Sequence, residues 1–147
     1  MKIEDQVCDR LQGKRLLNLG ITADAHIYHY QEQTPKNPNM HYYGYPQEQM
    51  PWRIYLTGKP SRISTNSTFA EDPAFTAAEL GVMLPEDCTA TRVGYNNWQA
   101  YGPEINLTSH VIYDQPTEAI AKAQLLIWLL ENNHVTAEEC NQQLKQA

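Results

Sequence analysis

A chain of 147 residues with 41% hydrophobic and 19% charged side chains has the composition of a globular protein. It is long enough to bury about 68–70% of its unfolded surface without staples. A net charge of −6 and a pI near 5.3 exclude general nucleic-acid binding, which needs clustered Lys and Arg to neutralise phosphates. No apolar run reaches the roughly 20 residues of a membrane span, and Met1-Lys2-Ile3-Glu4-Asp5 opens an acidic, amphipathic segment unlike a secretory leader. A single cytoplasmic α+β domain over residues 1–147 is the expectation.

Charge is unevenly placed. Residues 1–65 carry eight Lys/Arg and six Asp/Glu, residues 66–147 three and eleven, giving balances of +2 and −8. Opposite signs permit self-association that weakens with salt. Cys8, Cys88 and Cys140 are far apart, odd in number and in no Cys-x-x-Cys spacing, which argues against a disulfide framework and a zinc knuckle.

In chain order, Ile3, Val7 and Leu11 form one helical stripe, and the spacing predicts a helix over 2–19 ended by Gly20, with Gly13 as its weak point. Residues 25–31 alternate as a strand. Residues 32–51 lose all periodicity and hold four of the nine prolines, so a long loop is predicted, and its cluster His41-Tyr42-Tyr43-Gly44-Tyr45 argues for order within it. Residues 52–57 alternate again, Trp52, Ile54 and Leu56 against Arg53, Tyr55 and Thr57, and should pair with 25–31.

Residues 58–71 read as a second loop. A helix over 73–85 follows, with Thr76 and Glu79 as a capping box, Phe75 and Leu80 as a hydrophobic staple, and Pro85 as its stop. Residues 89–98 and 105–113 read as a hairpin turning at Ala100-Tyr101-Gly102-Pro103. The strongest signal is the helix over 116–132, apolar nearly all round, with Asp114 as cap and Pro116 in its first turn. A last helix over 136–146 starts on a second box, Thr136 to Glu139. The order α-β-β-α-β-β-α-α predicts an antiparallel sheet of about four strands from two hairpins, with three to four helices packed on it.

Chemistry is sparsely signalled. Asp24, His26 and His29, with His41, have metal-ligand chemistry, yet His26 and His29 fall on opposite faces of a strand, so no metal or other cofactor is predicted. No serine sits in a Gly-x-Ser-x-Gly setting, and Gly58-Lys59-Pro60-Ser61 lacks the glycine and hydroxyl residue of a phosphate loop. The carboxylate pairs Glu71-Asp72, Glu86-Asp87 and Glu138-Glu139 flank or open helices, where they offset the helix dipole. No catalytic residue is assigned.

What remains is the region from Tyr28 to Arg62, which holds six of the nine tyrosines, Trp52 and four cations. Tyr42, Tyr43, Tyr45, Trp52, Arg53, Tyr55 and Arg62 are the candidate binding residues, because Tyr, Trp and Arg supply large rigid contact area and directed donors at low entropic cost. Three readings stay open: a protein partner docks on the loop; a nucleotide or other anionic small molecule stacks on the tyrosines and meets Arg53 and Arg62; or Trp52 is core, the tyrosines cover a sheet edge and the cations are solvated.

A leading helix ending in Leu16-x-x-Leu19-Gly20, a Tyr-containing strand, the Phe75-Thr76-x-x-x-Leu80-x-x-x-Leu84-Pro85 helix and a final Ala/Leu-rich helix ending in Glu131-Asn132 resemble small uncharacterised proteins encoded by phages and prophages of gut Bacteroidetes. The resemblance transfers no catalytic residues; the long Tyr-rich loop and the lack of catalytic signatures favour a non-catalytic interaction protein, such as a phage accessory factor that binds or inhibits a host protein.

Overall fold

The computed structural model describes residues 2–33, 41–42, 45–46, 52–56, 68–105 and 107–147. Its centre is the helix α3, Glu118–Glu131, in which eight of fourteen residues are buried, Leu125, Leu126 and Leu129 completely. A helix apolar on every side needs cover on every side, and Ile127 and Leu130 are only 6% and 8% exposed. Its start differs from the sequence expectation. The Thr117 hydroxyl accepts from the Ile120 amide at 3.2 Å, so Thr117 is the cap and Pro116 stands before it. Asp114, the predicted cap, instead lies in a strand at φ +55. The helix ends on Asn133 at φ +59, whose amide donates to the Leu130 carbonyl while His134 donates to that of Leu129, the two bonds of a Schellman stop.

Among the described residues, two antiparallel sheets of three strands replace the single four-stranded sheet expected from sequence, together with four α-helices. In the first, β1 (Tyr28–Gln33) lies between β4 (Arg53–Tyr55) and β5 (Thr68–Pro73), and a two-residue hairpin of β2 (His41–Tyr42) and β3 (Tyr45–Pro46) falls between β1 and β4 in sequence. Pairing of β1 with β4 was predicted and His29 does face Ile54. The strand β5 was not predicted: residues 68–73 lie largely in what reads as loop, because Thr-Phe-Ala-Glu-Asp-Pro has no alternation. Six register pairs with β1, from Tyr28–Pro73 to Gln33–Thr68, hold it as a strand.

In the second sheet β7 (Asn97–Ile105) lies between β6 (Thr89–Gly94) and β8 (Thr108–Gln115). The predicted turn at residues 100–103 is therefore mid-strand. Ala100 and Gly102 are buried, and a Cβ on Gly102 would stand 3.3 Å from Leu125 Cδ1, so the glycine serves close approach to α3 and not a turn. Pro103 is tolerated because the register shifts between Tyr101 and Glu104, a bulge that frees one position from the ladder. The chain reverses instead where Gly94 pairs with Asn97, with Asn96 at φ +48, and where Ile105 pairs with Thr108, with Leu107 at φ +66.

The predicted 2–19 helix is also divided. A 3-10 turn over Ile3–Gln6 gives way to extended Val7, which bridges to Thr76, and α1 (Arg10–Asn18) begins afresh. The Asp9 carboxylate accepts from the Gln12 backbone amide at 2.7 Å and the Gln12 side-chain oxygen accepts from the Asp9 backbone amide at 3.2 Å, a capping box that restarts the helix. Gly13, the expected weak point, is mid-helix and buried: any Cβ there would meet the Pro73 carbonyl oxygen, so its absence lets α1 lie directly on β5. Gly20, at φ +102, ends α1: its amide donates to the Leu17 carbonyl and that of Ile21 to the Leu16 carbonyl, a Schellman pair.

The helix α2 (Ala77–Met83) and the helix α4 (Ala137–Gln146) begin on the predicted boxes at Thr76 and Thr136. Phe75, Leu80, Met83 and Cys140 are buried, and Leu84 is extended before Pro85 as its position requires. The second sheet, α1 and α2 cover α3, and α4 packs on α2. Beneath the first sheet lies a separate small cluster of Val7, Ile27 and Ala74 with Ile3 and Ile54 against it. Among the described residues no helix is long and apolar enough to cross a membrane.

Two substitutions test this packing by urea denaturation. Gly13→Ala should cost about 1–3 kcal/mol although alanine favours helices, because backbone must move. Ile127→Ala should cost about 2–5 kcal/mol through lost burial and a residual cavity.

Candidate functional site

Of the seven predicted binding residues, the structure places three side chains and the backbone of two more. Trp52, Arg53 and Tyr55 lie on or beside β4, the edge of the first sheet among the described residues. Tyr42 and Tyr45 pair with one another across β2 and β3. Tyr43 and Arg62 lie outside the described residues.

The rings at β4 are neither core nor loose. Trp52 is half-buried, and the Arg10 guanidinium lies 4.3 Å from its ring centroid. That guanidinium also reaches Asp72, itself 7% exposed, at 3.3 Å. One cation thus ties α1, β5 and the indole together by charge–quadrupole attraction and an ion pair. Tyr55 is half-buried and meets Tyr30 edge to face, with centroids 5.8 Å apart and planes at 86°, a favoured aromatic geometry. Arg53 is exposed between them in sequence, opposite Tyr30 in register. Leu56, placed by the alternation on the same face as Ile54, is 59% exposed, because the strand ends at Tyr55 and the small cluster below it ends with Ile54.

Arg10 was not among the candidates from sequence. Its only signal was an Asp-x-x-Gln box around it, which predicts a helix start but not that the first helical residue would reach over a tryptophan forty-two positions later.

The histidines and acids singled out for metal chemistry are separated by their partners. His26 is exposed with Nε2 3.9 Å from Glu79, His29 Nε2 lies 3.1 Å from the Cys8 carbonyl, and Asp24 accepts from the Tyr28 hydroxyl at 3.2 Å. Among the described residues no group of three such side chains converges on one point. The buried Glu79 is occupied structurally: it accepts from the His26 amide at 2.9 Å, the Thr76 amide at 2.9 Å and the Thr76 hydroxyl at 3.0 Å, joining the chain before β1 to the start of α2.

No family model, curated protein or solved structure matches this chain.

The cysteines are held as thiols. Burial pushes Cys8 from its ordinary 9.0 up to about 12, and Cys140 and Cys88 to about 11, far from the thiolate that nucleophilic or redox chemistry needs near neutrality. Because folded Cys8 holds its proton more tightly than the unfolded chain does, its contribution to stability is complete below pH 9 and is lost as pH rises towards 12. Urea midpoints measured between pH 7 and about pH 10.5 should fall with pH, and less steeply in Cys8→Ala than in the wild type.

Proposed function

We propose that this chain is a non-catalytic binding protein that engages a protein partner through the β4 edge and the Tyr-rich segment before it. The observation that supports it most is the state of Trp52 and Tyr55. Each is braced by a ring or a guanidinium from the fold, yet keeps part of its surface in water beside exposed Arg53 and Leu56. Rings already fixed lose little entropy on binding, so more of their contact area appears as affinity. The resemblance to phage and prophage proteins points to a host protein as the partner, bound or inhibited by this accessory factor.

The test is capture from host lysate with a photo-crosslinking side chain at Arg53, followed by alanine at Trp52 and at Leu56. Wild type should yield one dominant adduct, and each alanine variant should lower its yield about tenfold or more, in line with an interface hot spot. Thermal melts of the variants separate lost binding from lost fold. Absence of any adduct would remove the basis of the proposal. A nucleotide whose binding requires Trp52 and Arg53 would replace the protein partner with a small anionic ligand at the same place.

A further inference from the structure

A second candidate site lies away from β4. A cleft of about 530 Å³ opens where the 3-10 turn, the start of α2, the start of α3 and the β6–β7 hairpin meet. That volume is within the roughly 300–1,000 Å³ of small-molecule sites. Its largest side chain is Trp98, half-buried, packed against the main core and also lining the cleft. The other apolar lining is small: Ala77 and Ala78 from α2, Pro116, and Ala119 from α3. Small side chains around one indole leave room for a flat ring against it.

The polar lining decides which flat ring. Arg92 is the one cation lining the cleft among the described residues, and its Nε already donates to the Gly94 carbonyl at 3.2 Å. Asp5 and Glu118 also line it, and Glu118 is held by Lys122 at 2.8 Å. One engaged cation beside two carboxylates gives no field that favours a phosphate. Thr76 and Thr117 line it too, but their hydroxyls already accept from the Glu79 and Ile120 amides as helix caps; Gln6 and Asn96 complete the polar rim, and an amide side chain presents both a donor and an acceptor. Such groups match the mixed edge of a nucleobase, and the indole matches its face.

We propose that this cleft binds a neutral nitrogen heteroaromatic ring of nucleobase size, as in a nucleoside, stacked on Trp98 with its edge read by Gln6 and Asn96. This is a different site from the β4 edge and stands independently of the reading given for that surface.

The probes are adenosine, guanosine, cytidine and uridine, each beside its 5′-monophosphate, titrated into the full chain by calorimetry and thermal shift. At least one nucleoside should bind and raise the melting temperature, and its monophosphate should bind no more tightly. Trp98→Ala should weaken binding about 10- to 100-fold, the range for losing one base stack. Because Trp98 also touches the core, Ala78→Trp is the companion variant: Ala78 is exposed on α2, so a large ring there fills the cleft without entering the core. It should abolish binding with the unliganded melting temperature unchanged. The proposal is overturned if none of the four nucleosides binds at millimolar concentration, if a monophosphate binds more tightly than its nucleoside, or if binding survives Ala78→Trp. Nucleoside binding lost in Trp52→Ala would place the ligand at β4 and overturn it as well.

Discussion

Everything else in the molecule follows from the need to enclose α3. Its sequence offers no face that water would accept over its length, so three separate elements must converge on it: the inner face of the second sheet, α1 and α2. The two polar side chains near its middle are used as ties. Lys122 donates to the Ala77 carbonyl at 3.3 Å and pairs with Glu118, and Gln124 meets Gln12, whose amide also donates to the Ile120 carbonyl at 3.1 Å. A helix that must be buried thereby also holds the first turns of α1 and α2 against it.

The first sheet packs on α1 through β5. Gly13 gives α1 its close approach to Pro73, and Arg10, one turn earlier, carries the connection on to Asp72 and Trp52. The aromatic surface at β4 therefore rests on the same helix that covers α3. A partner bound there would read a surface whose geometry is set by the core, with its rings positioned before contact. The cleft beside Trp98 is anchored from the other side, by the first turns of α2 and α3.

Several local signals were legible because the deciding contacts lie within one turn. The boxes at Thr76 and Thr136 were readable because cap and partner are three residues apart, and the Pro85 stop because a proline constrains its neighbour directly. The same logic was available at Asp9 and Gln12, but the Ile3, Val7, Leu11 spacing suggested one continuous helix through it. Gly-Pro at 102–103 was misread for the opposite reason: the pair marks turns in general, and only the presence of Leu125 above Gly102 makes that glycine a packing residue. The strand β5 has no pattern of its own to read, since its extension comes from partners in β1.

The candidate site divides along the same line. Sequence by itself determined the α+β class, the central helix, its buried residues Ile127 and Leu130, and the concentration of Tyr, Trp and Arg before residue 62, because composition and short-range periodicity are properties of neighbours along the chain. Tertiary structure alone decided that β1, β4 and β5 form one sheet and β6, β7 and β8 another, that Arg10 and Asp72 brace Trp52, that Leu56 is exposed, and that Trp98 lines a cleft among alanines. Those depend on which distant segments are brought into contact, and that is fixed by the shared requirement to cover α3 and by backbone pairing, neither of which leaves a mark at the residues it places.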